Sequence, residues 1–175
     1  MKKVAKIEPA RGVKVFLILQ AVALAAGNYV GWSTIIREVD IYCSQTGRGL
    51  WGLTDFSGGL TSNPLISPCF WGSIVFLIAL AWTLSLLLEK KTKQLQINIH
   101  RLWWLLLGGT IFALANNVPV IYKFYTRPTG SFKSCSADAV TNPFFTSCFL
   151  GFSAFLAAFV FVIFAKRLVN KLKAN

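Results

Sequence analysis

The stretch Asn63-Pro64-Leu65-Ile66-Ser67-Pro68-Cys69-Phe70-Trp71-Gly72 decides the reading of this chain, because it returns as Asn142-Pro143-Phe144-Phe145-Thr146-Ser147-Cys148-Phe149-Leu150-Gly151. Asn, Pro, Cys, Phe and Gly stand at the same offsets in both copies, and an apolar run follows each. A recurring unit fixes an architecture before any single motif is weighed. Two related halves are therefore expected, residues 13–88 and 101–165, within one domain of 175 residues.

Working outward, each copy opens one apolar run and is preceded by another. The spans expected are about 15–31, 69–88, 102–122 and 148–165, each long enough to cross a hydrocarbon core of about 30 Å at about 1.5 Å per residue. Composition agrees. The chain is 55% hydrophobic with only 14% charged residues, against about 25% charged in a soluble domain. The fold class expected is an all-α integral membrane protein: a four-helix transmembrane bundle built from two tandem parallel helical hairpins.

Charge gives the expected orientation. Of the eighteen Lys and Arg, thirteen lie in residues 1–14, in 89–101 or after Ala165. The remaining five (Arg37, Arg48, Lys123, Arg127, Lys133) fall in the stretches 32–68 and 123–147, read as two outward loops. The positive-inside rule then places both termini and the connector in the cytoplasm and both loops outside, as in a plasma membrane protein. The net charge of +12 sits in clusters flanking apolar runs rather than on an aromatic-studded polar face, which argues against a nucleic-acid partner and for the lipid bilayer. A cleaved signal peptide ending at Ala23-Leu24-Ala25 is the competing reading of the first run. The same tripeptide recurs as Ala113-Leu114-Ala115 inside the third run, where no cleavage is called for, so the first helix is expected to be retained.

All four cysteines, Cys43, Cys69, Cys135 and Cys148, fall in the expected outward loops or at their edges. An even count on an oxidising side reads as disulfides. Four cysteines allow three connectivities, and the duplication favours Cys43–Cys69 and Cys135–Cys148, one bridge per half. Each bridge is worth about 3 kcal/mol in the chain-entropy model. The opposing reading is redox chemistry, since Cys69 and Cys148 open helices and reactive cysteines are often found at helix N-termini.

Four spans, cytoplasmic termini, this length and a cysteine pair in each outward loop together resemble the DsbB and vitamin K epoxide reductase type of quinone-linked thiol oxidoreductase. The resemblance is one of layout. Those families carry a Cys-x-x-Cys, whereas no two cysteines here are closer than thirteen positions, so no residue role is carried across.

Intramembrane polar residues are the remaining signal. Asn28 and the pair Asn116-Asn117 stand at matching depths just after the two Ala-Leu-Ala tripeptides. Amides in spans hydrogen-bond between helices, and a polar lining for a quinone, lipid or ion is the functional counterpart, helped by Pro119, which frees a nearby carbonyl. His100 reads as a helix-end or headgroup contact. No metal-ligand spacing, Gly-x-Ser-x-Gly or phosphate-binding glycine loop occurs. The expectation from sequence is a non-catalytic interaction or assembly subunit presenting two stapled loops to a membrane or extracytoplasmic protein, with no cofactor and no metal. A membrane thiol oxidoreductase with a quinone is the alternative, and a small transport or lipid-binding bundle comes third.

Overall fold

A computed structural model describes residues 7–46, 65, 67–89, 91–126 and 143–174. Among them the chain is all-helical: α1 (Ile7–Thr46), α2 (Pro68–Leu88), α3 (Thr92–Thr126) and α4 (Ser147–Ala174), with one short 3-10 turn, Pro143–Phe145, leading into α4. Each of the four is long and apolar enough to cross a membrane.

The helices overrun the expected spans, and the reason is local. The stretch 32–46 contains neither glycine nor proline, and Thr34 and Ile35 are buried. Polar composition therefore did not stop α1, which continues to Thr46. The expected outward loop 32–68 thus begins as fifteen more residues of helix. Residues 92–101, expected as part of a connector, are likewise helical. Gln, Lys and Leu are good helix formers, and Leu95 and Ile99 continue the buried stripe of Leu102 and Leu106 at helical spacing. The connector shrinks to residues 89–91.

Around the bundle the helices follow the order α2, α1, α4, α3. The α1–α4 pair packs most extensively, α1–α2 and α3–α4 next, and α2–α3 least of these. The core runs down the middle as Val13, Leu17, Leu24, Phe76, Leu106 and Phe155. One hydrogen bond interrupts it: Gln20 Nε2 of α1 donates to Thr83 Oγ1 of α2 at 3.1 Å, both side chains fully buried. The outer faces are as apolar as the core, with Val22, Leu77, Ile111 and Leu156 all exposed. Helices that are apolar all round belong inside a larger core or a membrane.

Candidate functional site at the cysteine end

The two copies of the repeated motif start α2 and α4 in the same way. Ser67 caps α2, its Oγ accepting from the Phe70 amide at 3.2 Å. Thr146 does the same for α4, its Oγ1 accepting from the Phe149 amide at 3.2 Å. Side-chain oxygens at this position satisfy donors that a helix start leaves unpaired. Pro68 and Ser147 then take the first helical position, so Cys69 and Cys148 both fall at the second. The motif aromatics stand edge-on to neighbours: Phe70 to Trp32 at 6.2 Å and Phe149 to Phe144 at 5.0 Å between centroids.

This common start brings the sulfurs of Cys69 and Cys148 within 3.5 Å of each other. The separation is a non-bonded contact, well beyond the ~2.05 Å of an S–S bond. No two sulfurs among the described side chains lie at bonding distance. The expected staples, Cys43–Cys69 and Cys135–Cys148, gain no support from this arrangement. Each motif cysteine faces its counterpart in the other half, because α2 and α4 begin at the same end of the bundle. Cys43 lies on the helical backbone of α1, where its side chain is not described, and Cys135 lies outside the described residues. Asn63, Pro64 and Asn142 also lie outside them, while Pro143 opens the 3-10 turn.

Below the sulfurs is a small cavity of about 50 Å³ to which all four helices contribute. Gly72 and Gly151 of the two motifs line it, as do both cysteines. The side chains of Phe76 and Phe155 reach it too, stacked on each other at 3.8 Å between centroids. On the α1 side the wall is made at Gly27, Gly31 and Thr34. A Cβ at Gly27 would run into the Phe76 ring, and one at Gly31 into the Ser73 hydroxyl. Glycine lets α1 approach closely enough to enclose the space.

The amides singled out from sequence part company here. Asn117 is buried and lines the cavity, and its Nδ2 donates to Ala113 O of its own helix at 2.8 Å and to Cys148 O of α4 at 3.0 Å. It ties α3 to the backbone of the cysteine itself. Asn116 also lines the cavity but donates only within α3, to Phe112 O at 2.8 Å. Asn28 is buried, outside the cavity lining, with its Nδ2 lacking a hydrogen-bond partner. Pro119 sits inside α3 and cannot donate to the Ala115 carbonyl. His100 stacks on Trp103 at 6.2 Å, at the opposite end of the bundle.

Two further polar residues come into view. Glu38 sits above the cysteines because α1 continues past residue 31. Its carboxylate accepts a hydrogen bond from the Ser67 hydroxyl and lies within electrostatic reach of Cys148. Gln20 is the second, and its place in an otherwise apolar run was the signal available for it. Comparison with known proteins returns no match: no family model, curated protein or solved structure is significantly similar to this chain.

Proposed function

We propose that this protein is a membrane thiol–disulfide oxidoreductase in which Cys69 and Cys148 are the redox pair and a membrane quinone is the electron acceptor. The observation that carries it is the 3.5 Å contact between two cysteines at matched helix starts, directly over a small cavity lined by all four helices. Four helices with apolar outer faces support membrane insertion, and the clustering of Lys and Arg supports cytoplasmic termini, which would put the cysteine end outside.

In the forward step an S–S bond forms between Cys69 and Cys148 as both S–H bonds break. Two electrons and two protons pass to the quinone, which leaves as hydroquinone. The pair returns to the dithiol by exchange with a dithiol of an extracytoplasmic protein, which becomes the disulfide. Within the chain, the helix starts at Ser67 and Thr146 hold both sulfurs where the helix dipoles favour negative charge. Asn117 fixes the backbone of Cys148, and the stacked phenylalanines close the cavity beneath.

The deciding experiment is thiol mapping by alkylation and peptide mass analysis before and after adding a quinone to the reduced, purified protein. The expected result is a Cys69–Cys148 bridge appearing with one hydroquinone per bridge, abolished by Cys69→Ser or Cys148→Ser. Bridges at Cys43–Cys69 and Cys135–Cys148 that resist glutathione-strength reductant, with the quinone unchanged, would overturn it. The stapled assembly subunit would then be the better reading.

A further inference from the structure

We propose that the seam between α3 and α4, at the end of the bundle opposite the cysteines, is a binding site for the phosphate of an anionic phospholipid. This goes beyond the redox reading and rests only on the membrane reading of the helices. Lys166 of α4 is half-buried, and its ammonium lies 4.4 Å from the centroid of the Trp103 ring of α3. His100, one turn earlier on α3, stacks on the same ring at 6.2 Å between centroids. One turn further out, Gln96 Nε2 donates to Asn170 Oδ1 at 3.0 Å and ties the two helices together. The seam therefore holds a cation in a fixed place on an aromatic face. Exposed Arg101 and Arg167 stand next in sequence to His100 and Lys166.

What the two helices lack is an anion. Neither α3 nor α4 contains an Asp or a Glu. Of the six acidic residues in the chain, only Glu8 and Glu89 belong to this end, on α1 and at the end of α2. The Glu89 carboxylate accepts from the Lys91 amide at 3.0 Å, which engages it with the connector. An aromatic ring steadies an ammonium without neutralising it, and the ring face engages only part of the three N–H donors that a lysine carries. A phosphate oxygen supplies both the missing charge and the missing acceptor. The outer faces leading away from the seam are apolar, with Trp104 and Ile111 exposed on α3 and Val160 and Phe164 on α4, so the same molecule can lay its acyl chains along them. The positive-inside reading puts this end in the cytoplasmic leaflet, where anionic lipids collect and basic pockets between helices bind their headgroups. A zwitterionic lipid brings its own cation, and a free phosphate brings no chains, so neither fits as well.

The test is native mass spectrometry of the full chain released from detergent micelles and titrated with phosphatidylglycerol, with phosphatidylcholine and with inorganic phosphate. One phosphatidylglycerol should bind per chain ahead of phosphatidylcholine, and excess inorganic phosphate should leave it in place. Lys166→Gln should weaken phosphatidylglycerol about fivefold, the factor for one basic residue at an anionic headgroup, with little effect on phosphatidylcholine. Lys166→Arg keeps the charge and the aromatic contact and should bind as wild type does. Lys14→Gln removes an exposed charge from α1 at the same end and should change little.

A second readout needs no variant at Lys166. With 5-fluorotryptophan incorporated, the Trp103 resonance, assigned by its loss in Trp103→Phe, should shift and saturate as phosphatidylglycerol replaces phosphatidylcholine in nanodiscs. The resonance of Trp71, exposed at the cysteine end, should not saturate. Equal weakening by Lys14→Gln and Lys166→Gln would reduce the site to diffuse surface charge and overturn the proposal. So would an unchanged lipid preference in Lys166→Gln, displacement of the lipid by inorganic phosphate, or a Trp103 resonance indifferent to phosphatidylglycerol. None of these outcomes touches the cysteine pair, which thiol mapping decides separately.

Discussion

Replacing Asn117 by leucine removes a hydrogen bond that ties α3 to the backbone of Cys148. The amide is 2% exposed and spans 3.0 Å to the Cys148 carbonyl, while its other bond, to Ala113 O, stays within α3. Leucine matches asparagine in size, so the perturbation is mainly the loss of the interhelical bond. Such bonds in membrane bundles are worth about 0.6 kcal/mol on average and up to ~1.7 kcal/mol. A disulfide needs the first turn of α4 held against α2, whereas the dithiol tolerates separation, so the loss falls mostly on the oxidised state. At ~30 mV per 1.4 kcal/mol for a two-electron couple, the reduction potential of the Cys69–Cys148 pair should rise by about 10 to 40 mV. The assay is equilibration in graded thiol–disulfide buffers followed by alkylation and mass analysis. A potential that stays put while the unfolding midpoint drops would show that Asn117 only holds helices together. A potential that falls would refute the reasoning outright.

Three further outcomes follow from the packing. Thr83→Val leaves both polar ends of buried Gln20 unpartnered, since Gln20 Oε1 already has none. It should cost about 0.6–1.7 kcal/mol in reversible detergent unfolding, and adding Gln20→Leu should recover most of that. Gly27→Ala drives a methyl into Phe76, whose ring is backed by Phe155. Overpacking of about 1–3 kcal/mol outweighs the gain in helix propensity of up to ~1 kcal/mol, so the melting temperature should drop and the KM for quinone rise. Glu38→Gln keeps an acceptor for Ser67 but removes a negative charge near Cys148. In alkaline buffer, where the carboxylate is charged, alkylation of Cys148 should accelerate about fivefold, the factor for ~1 kcal/mol of charge repulsion, whereas slower alkylation would identify Glu38 as a base that serves the thiol.

The helix starts were legible because Ser67-Pro68 and Thr146-Ser147 carry their own capping chemistry, and the apolar runs because their length exceeds any soluble core need. The ends were not. Between Trp32 and Thr46 the residues turn polar without a breaker, and polarity reports the surroundings of a segment rather than its backbone. The stripe Leu95, Ile99, Leu102, Leu106 was present in the sequence, but reading the basic connector as a loop hid its first turn. The contact between Cys69 and Cys148 was hidden for a different reason. The duplication points to one bridge within each half, and these two cysteines are 79 positions apart. Nevertheless, α2 and α4 begin at the same end of the bundle, and the cysteines at the second position of each meet there.

The same geometry makes the redox state a mechanical variable. Bond formation must draw the sulfurs from 3.5 Å to ~2.05 Å, a movement of about 1.5 Å. Among the helices α4 is anchored on both sides, by α1 and by α3, while α2 packs firmly only on α1. The shift should therefore fall on the first turns of α2, which include Gly72 in the wall of the groove between α2 and α3. Because α4 stands diagonally across the bundle from α2, with α3 beside both, oxidation would narrow the gap between α2 and α3, and reduction would widen it again. The consequence can be read at Trp104, which borders that gap, against Trp103, whose ring packs on Phe159 at 5.9 Å. With 5-fluorotryptophan incorporated and each resonance assigned by its loss in Trp104→Phe or Trp103→Phe, the Trp104 signal should shift between dithiol and disulfide forms while Trp103 holds still. Equal shifts at both would mean the bundle responds as one body, and no shift at Trp104 would mean the sulfurs close by side-chain rotation alone, with the groove between α2 and α3 unchanged.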